Sequence, residues 1–292
     1  MSRVLSAILL LVLVAVSHAV EPKPPATLVV QPAVLVNGAP CLFTLQFAGH
    51  PEKVTATWQE HDVVFTPNES GRWYALAGVA YATKPGSYNL AVTAVQQDGR
   101  ETQFKLPVEV RAAKYKSSRL TVPQKYVTPD PETMKRIEAE KEIKHAAFAH
   151  LIPSPEWAGN FIAPVALQVS ENYGTSRTFN GKLATVHYGT DFRAPTGTPV
   201  HAANSGEVVL ARELYYEGNC VIIDHGLGFM TLYMHLSKFE VKEGDKVEKG
   251  QTVALSGGTG RATGPHLHLA VRWKGEYLDA TRLLALKLPA HP

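Results

Sequence analysis

The chain has 292 residues, 45% hydrophobic and 19% charged, with 22 Gly and 20 Pro. That composition suits a turn-rich globular protein of two ordinary domains and excludes a disordered chain. The formal net charge of +3 includes Arg3, and Lys and Arg are scattered without a basic block, so no nucleic-acid partner is expected.

Arg3 precedes an apolar run from Val4 to Val16, broken only by Ser6. Ser17-His18-Ala19 then places small residues at −3 and −1 of a cut after Ala19, the layout of a cleavable signal peptide over 1–19. The run falls short of the roughly 20 residues a spanning helix needs. No Cys follows it, and no later stretch is apolar enough to span. The chain is therefore expected to be exported to the periplasm or cell envelope, with no stable membrane span after signal removal. Cys41 and Cys220 lie far apart, so two buried small apolar residues are expected rather than a disulfide framework.

Residues 20–111 read as short strands at Thr27–Val30, Leu42–Phe47, Val54–Gln59, Trp73–Ala77, Tyr88–Val95 and Phe104–Val110. Turn signals such as Asn37-Gly38, Pro85-Gly86 and Asp98-Gly99 separate them. This spacing suggests an immunoglobulin-like β-sandwich. It carries no cluster of catalytic residue types, so a packing or docking module is the expectation. Residues 112–155 read as a linker. Asp130 is a good N-cap and Pro131 suits the first helical position, predicting a helix over Pro131–Leu151 that Pro153 ends. Glu132/Arg136 and Glu140/Lys144 are expected to pair at i,i+4 on a solvated face.

Residues 156–292 read as a Gly-rich antiparallel β domain, making the fold mainly β. Strands are predicted at Gly206–Ala211, Cys220–Asp224, Met230–His235, Lys246–Val247, Thr252–Ser256 and Leu267–Trp273, with a helix near Ala280–Leu286. Six of the 12 histidines fall between His187 and His268. In a strand, His266 and His268 would face the same way, about 7 Å apart at Cα. Gly189 and Thr190 argue against helix in His187-Tyr-Gly-Thr-Asp191, but a loop entering a strand there can wrap both side chains round one ion. With one imidazole from His266 or His268, the set becomes two His and one Asp. That is a catalytic rather than structural zinc pattern, since it leaves a coordination position open. His225 reads as structural. Ser256–Gly264 lacks the phosphate-cradle spacing and reads as a flexible wall of the site. Arg177, Asn180 and Gly181 fit either a substrate-lining or a plain surface loop.

The order H-x3-D, then Tyr233-Met-His235-Leu, then Gly264-Pro-His266-Leu-His268 resembles the lysostaphin/LytM-type M23 family of zinc endopeptidases. Gly189-Thr-Asp-Phe-Arg-Ala-Pro-Thr-Gly-Thr-Pro-Val200, Ile223-Asp-His-Gly226 and Val247-Glu-Lys-Gly-Gln251 extend the likeness over about residues 160–280. The resemblance implies that His187, Asp191 and His268 hold zinc and that His235 and His266 are unligated catalytic histidines. It also implies a substrate of peptidoglycan stem-peptide cross-links. No protein partner is legible. The competing expectation is a non-catalytic LytM-like relative that activates a cell-wall amidase. Such relatives lose ligands or catalytic histidines, whereas all five positions are filled here.

Overall fold

The computed structural model describes residues 25–290; the expected signal peptide lies outside the described residues. Among the described residues no helix is long and apolar enough to cross a membrane. Residues 26–111 build two sheets. One, in the order β1-β3-β7-β6, comprises Ala26–Gln31, Pro40–Phe47, Arg72–Gly78 and Thr66–Pro67. The other, β2-β9-β8-β4-β5, comprises Leu35–Val36, Glu101–Arg111, Gly86–Val95, Lys53–Trp58 and His61–Val64. Strand β9 shows the cause: Leu106, Val108 and Val110 are buried while Lys105, Pro107, Glu109 and Arg111 are exposed, the period of two that one apolar face demands. Trp58 packs edge-on to Phe43 at 5.3 Å and donates its indole N–H to the Gly78 carbonyl at 2.8 Å. A buried Trp needs that partner.

Strand β10 (Ser117–Leu120) leaves this half and pairs in parallel with β12 (Ser176–Phe179), itself a hairpin with β13 (Leu183–Val186). Between them runs helix α1, Pro131–Ala149. The Asp130 carboxylate caps it from Thr133 N at 2.8 Å. The helix stops two residues before the expected Leu151, with His150 as an extended C-cap. Its charges correct the sequence expectation. Arg136 pairs with Glu140, not Glu132, and Lys144 reaches Glu217 across the fold rather than Glu140. Glu140 is only 8% exposed and accepts from Tyr215 N at 2.7 Å. These groups dock the helix instead of solvating it.

The larger sheet runs β11-β14-β21-β18-β17-β16-β19. Its strands are Val169–Glu171, Thr190–Phe192, Leu267–Trp273, Phe229–Phe239, Gly218–Asp224, Gly206–Leu214 and Lys246–Val247. Strands β15 (Pro199–His201) and β20 (Thr252–Ser256) pair beside β18, and β22 (Glu276–Leu278) pairs with β21. Helix α2 (Ala280–Ala285) follows. Strand β17 carries an unbroken apolar run, Cys220–Ile223, because both its faces are covered. Cys220 and Ile222 face α1, packed with Ala147, Leu210 and Leu232. Val221 and Ile223 join a core that is continuous with Trp58, Phe43 and Leu90 of the first half. Both cysteines are buried and unbonded.

Where the halves meet, His61 lies edge-on to Trp273 at 5.1 Å, and Asp279 N donates to Gly38 O at 2.8 Å. A side chain on Gly78 would come within 2.6 Å of Leu278 Cδ1. Gly78→Val is expected to force that contact apart at a cost of about 1–3 kcal/mol, read as a lower midpoint in chemical denaturation.

Candidate metal centre

Strand register assembles the site. Asp191 on β14 lies opposite His268 on β21, and His268 lies opposite Met234 on β18, next to His235. His187 enters from the segment after β13. Gly189 sits directly beneath His268: a Cβ there would lie 2.3 Å from Nε2 and 2.7 Å from the Leu269 carbonyl. Only glycine lets the chain pass between ligand and sheet, which explains Gly189 within the His187–Asp191 segment.

His187 Nε2, Asp191 Oδ1 and His268 Nδ1 converge. Their separations are 3.0 Å for His187–Asp191, 3.0 Å for His187–His268 and 2.8 Å for His268–Asp191. They are the three-donor metal cluster found among the described residues. Tetrahedral zinc with bonds of about 2.0–2.1 Å sets its donors about 3.3 Å apart, so the triangle fits with a few tenths of relaxation. The residues are 2, 6 and 8% exposed, so buried that the carboxylate and the two imidazoles need protons or a cation shared between them. His187 Nδ1 lies 3.1 Å from the Asn172 carbonyl, which turns Nε2 toward the cluster. Burial lowers His268 to about 4, against the pull of Asp191, so its imidazole is neutral and able to ligate at neutral pH. Burial alone would raise Asp191, but hydrogen bonds to His187 and His268 hold its carboxyl well below the usual carboxylate range.

The other Asp191 oxygen, Oδ2, receives the Arg177 guanidinium, which also bonds Glu171. Arg177 thus fixes which oxygen faces His187 and His268. Arg177→Gln is expected to weaken metal binding about 10- to 100-fold, measured by competition with a chelating dye.

His235 and His266 stand beside the cluster, their rings 4.7 Å apart, with His235 6.0 Å from His268. His235 sits on an irregular stretch of β18 where the register against β17 shifts between Asn219↔Leu236 and Val221↔Tyr233. Its φ of 62° is left-handed, a strain of about 1–3 kcal/mol for a non-glycine residue. That twist turns the ring out of the strand's ordinary alternation and toward His266. His235 Nδ1 donates to Thr259 O at 2.8 Å, and His266 Nδ1 donates to Gly264 O at 2.8 Å, leaving both Nε2 atoms as acceptors. Burial, reinforced by His266 and His268, lowers His235 to about 3. His266 lies just before β21 and is held by an isolated bridge to Gly257, not by the strand itself.

The Ser256–Gly264 wall is pinned rather than loose. Thr259 Oγ1 donates to Leu236 O at 2.8 Å and accepts from Asn219 N at 2.9 Å. Arg261 N donates to Tyr216 O at 2.9 Å. Of the charged groups around the centre, Arg177 is legible in the sequence only as one end of a polar segment and Arg261 only as part of the Ser256–Gly264 wall, while Glu171 carries no signal. Strand pairing decides the roles of these groups: it brings Arg177 to Asp191 as well as to Glu171.

His225 is structural. It is buried, with Nδ1 2.7 Å from Ser205 O and Nε2 2.7 Å from Thr231 Oγ1. Burial lowers it to about 4. Below an unfolded value near 6.5 the unfolded chain takes up a proton that the native chain refuses. Stability of the metal-free protein is therefore expected to fall as pH drops from about 6.5 to 4, by about 3 kcal/mol from this residue. Thermal melting with chelator present across that window measures it.

Known proteins align with this segment. The model of peptidase family M23 matches residues 185–280. Peptidoglycan DD-endopeptidase ShyA of Vibrio cholerae is 46% identical over 116 residues, covering 39% of this chain and 27% of that protein. DD-carboxypeptidase/endopeptidase Mpg of Neisseria meningitidis is 44% identical over 91 residues, 31% of this chain and 21% of that protein. The chain thus spans about a quarter of the length of the curated relatives it matches. A crystal structure of a Pseudomonas aeruginosa protein assigned to peptidase M23 superposes with a TM-score of 0.64 at 28% identity, over 85% of this chain and 94% of that one. Family match and donor geometry fall on the same residues, and so the chain carries a metallopeptidase domain of family M23.

Proposed function

We propose that this chain is an exported zinc-dependent endopeptidase that hydrolyses peptide cross-links in bacterial peptidoglycan. The observation that carries the reading is the donor triangle of His187, Asp191 and His268 with two unligated imidazoles beside it. His187, Asp191 and His268 would hold the zinc, which would supply Lewis-acid polarisation of a carbonyl oxygen and a lowered pKa for water. His235 and His266 supply the proton traffic. Each has Nδ1 committed to a backbone carbonyl and Nε2 free, so each can accept a proton from the attacking water or hand one to the departing amine. Asp191 supplies one negative charge, so the loaded site keeps a net positive charge for the developing oxyanion. Arg177 holds that carboxylate in place. The names of the ShyA and Mpg relatives support peptidoglycan as the substrate.

In the same reading residues 1–19 are a signal removed after Ala19, and the protein acts in the periplasm or cell envelope. Residues 20–111 form an immunoglobulin-like domain, 112–155 a helix-bearing linker and 156–292 the peptidase domain. The two facing sheets over the first half and the capped helix α1 support this division. Digestion of purified sacculi with and without chelator, alongside zinc content, tests the function. Peptide release that chelator abolishes is the expected result. Zinc without cleavage indicates a binding protein, and neither zinc nor cleavage indicates an amidase activator; either overturns the proposal.

A further inference from the structure

We infer that Arg261 selects substrates that carry a free carboxylate beside the scissile peptide bond. The inference rests on the hydrolytic reading above and supplies its substrate chemistry. A cleft of about 560 Å³ opens on the metal centre, and Arg177, Arg193 and Arg261 line it together with Glu171, His235 and His266. A second cavity of about 200 Å³ continues past the centre and shares Arg177, His235 and Arg261. Arg261 therefore stands where both meet.

The charges in this cleft do not cancel. Arg177 is already committed to Glu171 and Asp191, and those two acids are committed to it and to the ligand histidines. Among the described residues Arg193 and Arg261 enter no ion pair. Glu217, the carboxylate whose charge acts on Arg261, is bonded to Lys144. A peptide segment in the cleft therefore meets uncompensated positive charge even before a divalent ion is added.

Arg261 is also oriented. Its guanidinium lies 4.9 Å from the Phe179 ring centre and 4.5 Å from that of Tyr216. Rings cover the faces of a guanidinium, but its N–H donors lie along its edges, and among the described residues no side-chain or backbone acceptor takes them. A fork with its plane fixed and its edge free matches a carboxylate bidentately and loses little entropy on binding. Its backbone is pinned to Tyr216 two residues after Thr259, whose carbonyl orients His235. Anchor and catalytic imidazole thus sit on one short, tied segment, which sets the recognised carboxylate next to the reacting bond.

The test uses the zinc-loaded full chain and a cross-linked stem-peptide dimer with free carboxylates, compared with its carboxamide twin. The expected result is a KM lower for the acid by about ten- to hundredfold, the range of one charge-assisted bond. Arg261→Gln should bring that ratio close to one, and Arg261→Lys, which keeps charge but not the fork, should fall between. Raising salt should shrink the wild-type ratio. Zinc content and melting temperature of each variant identify any that fail to fold, and Arg261→Lys then carries the comparison. A wild-type enzyme indifferent to acid or amide overturns the inference, as does an Arg261→Gln variant weakened equally toward both, which would make Arg261 a clasp between Phe179 and Tyr216. If the wild type cleaves neither peptide, the hydrolytic reading fails. Calorimetric affinities of the two peptides then decide the inference by the same ratio.

Discussion

His268→Ala is expected to lose metal and hydrolysis together, whereas His235→Ala is expected to keep its metal and lose hydrolysis alone. The two imidazoles differ in what they face. His268 Nδ1 lies 2.8 Å from Asp191 Oδ1 and 3.0 Å from His187 Nε2, so removing it opens the donor triangle and leaves a buried carboxylate with one imidazole partner. Two donors do not hold zinc at the affinity of three, and a deficit on the order of a thousandfold follows if each contributes about a third of a typical binding free energy. His235 touches no donor atom of the triangle; its bond is to Thr259 O. Its loss removes a proton carrier, worth about 10²- to 10⁴-fold in rate. Metal analysis of both purified variants, together with release of peptides from sacculi, separates the roles. Equal metal loss in both would show that the role assignment is wrong.

Gly189→Ala should be nearly as damaging, although residue 189 contributes no side chain to the site. The added methyl would lie 2.3 Å from His268 Nε2 and 2.5 Å from its Cε1, with the Leu269 carbonyl behind it at 2.7 Å. The backbone oxygen belongs to the β14–β21 ladder and cannot yield, so the imidazole must swing away from Asp191. A displacement near 1 Å at a catalytic centre costs on the order of 100-fold in rate. Gly49→Ala, where nothing lies within 4 Å, is the matched control and should leave zinc content unchanged. Full zinc occupancy in Gly189→Ala would mean that the strands part rather than the ligand.

Much of this site was legible because its chemistry is local in sequence. His187 and Asp191 are four residues apart with Gly189 between them, and His266 and His268 flank one leucine. Strands β20 and β21 match their predicted bounds, since each pairs an apolar period with flanking glycines, and the two-residue β19 matches on the turn signals on either side of it. Strands of two to four residues, such as β2, β6, β11 and β15, carry too few residues to show a period and escaped notice. The charges of α1 were read wrongly for a different reason. Spacing ranks Lys144 as a partner for Glu140, but Glu217, 73 residues away, is nearer in the fold. Arg177 and Arg261 show in the sequence only as members of a polar segment and of the site wall, because a guanidinium advertises nothing of the carboxylate or ring it will meet. Register decides those meetings, and Asp191↔His268 cannot be read before the strands pair.

The uninterrupted packing from Trp58 through Leu278 to Val221 bears on how such proteins can be recombined. A seam cut near residue 112 would bare Trp273, Leu278 and the ring of His61 to water on both fragments. The half that holds the donor triangle is thus no portable cassette: it would have to be grafted with its neighbour or given a new polar skin along that seam.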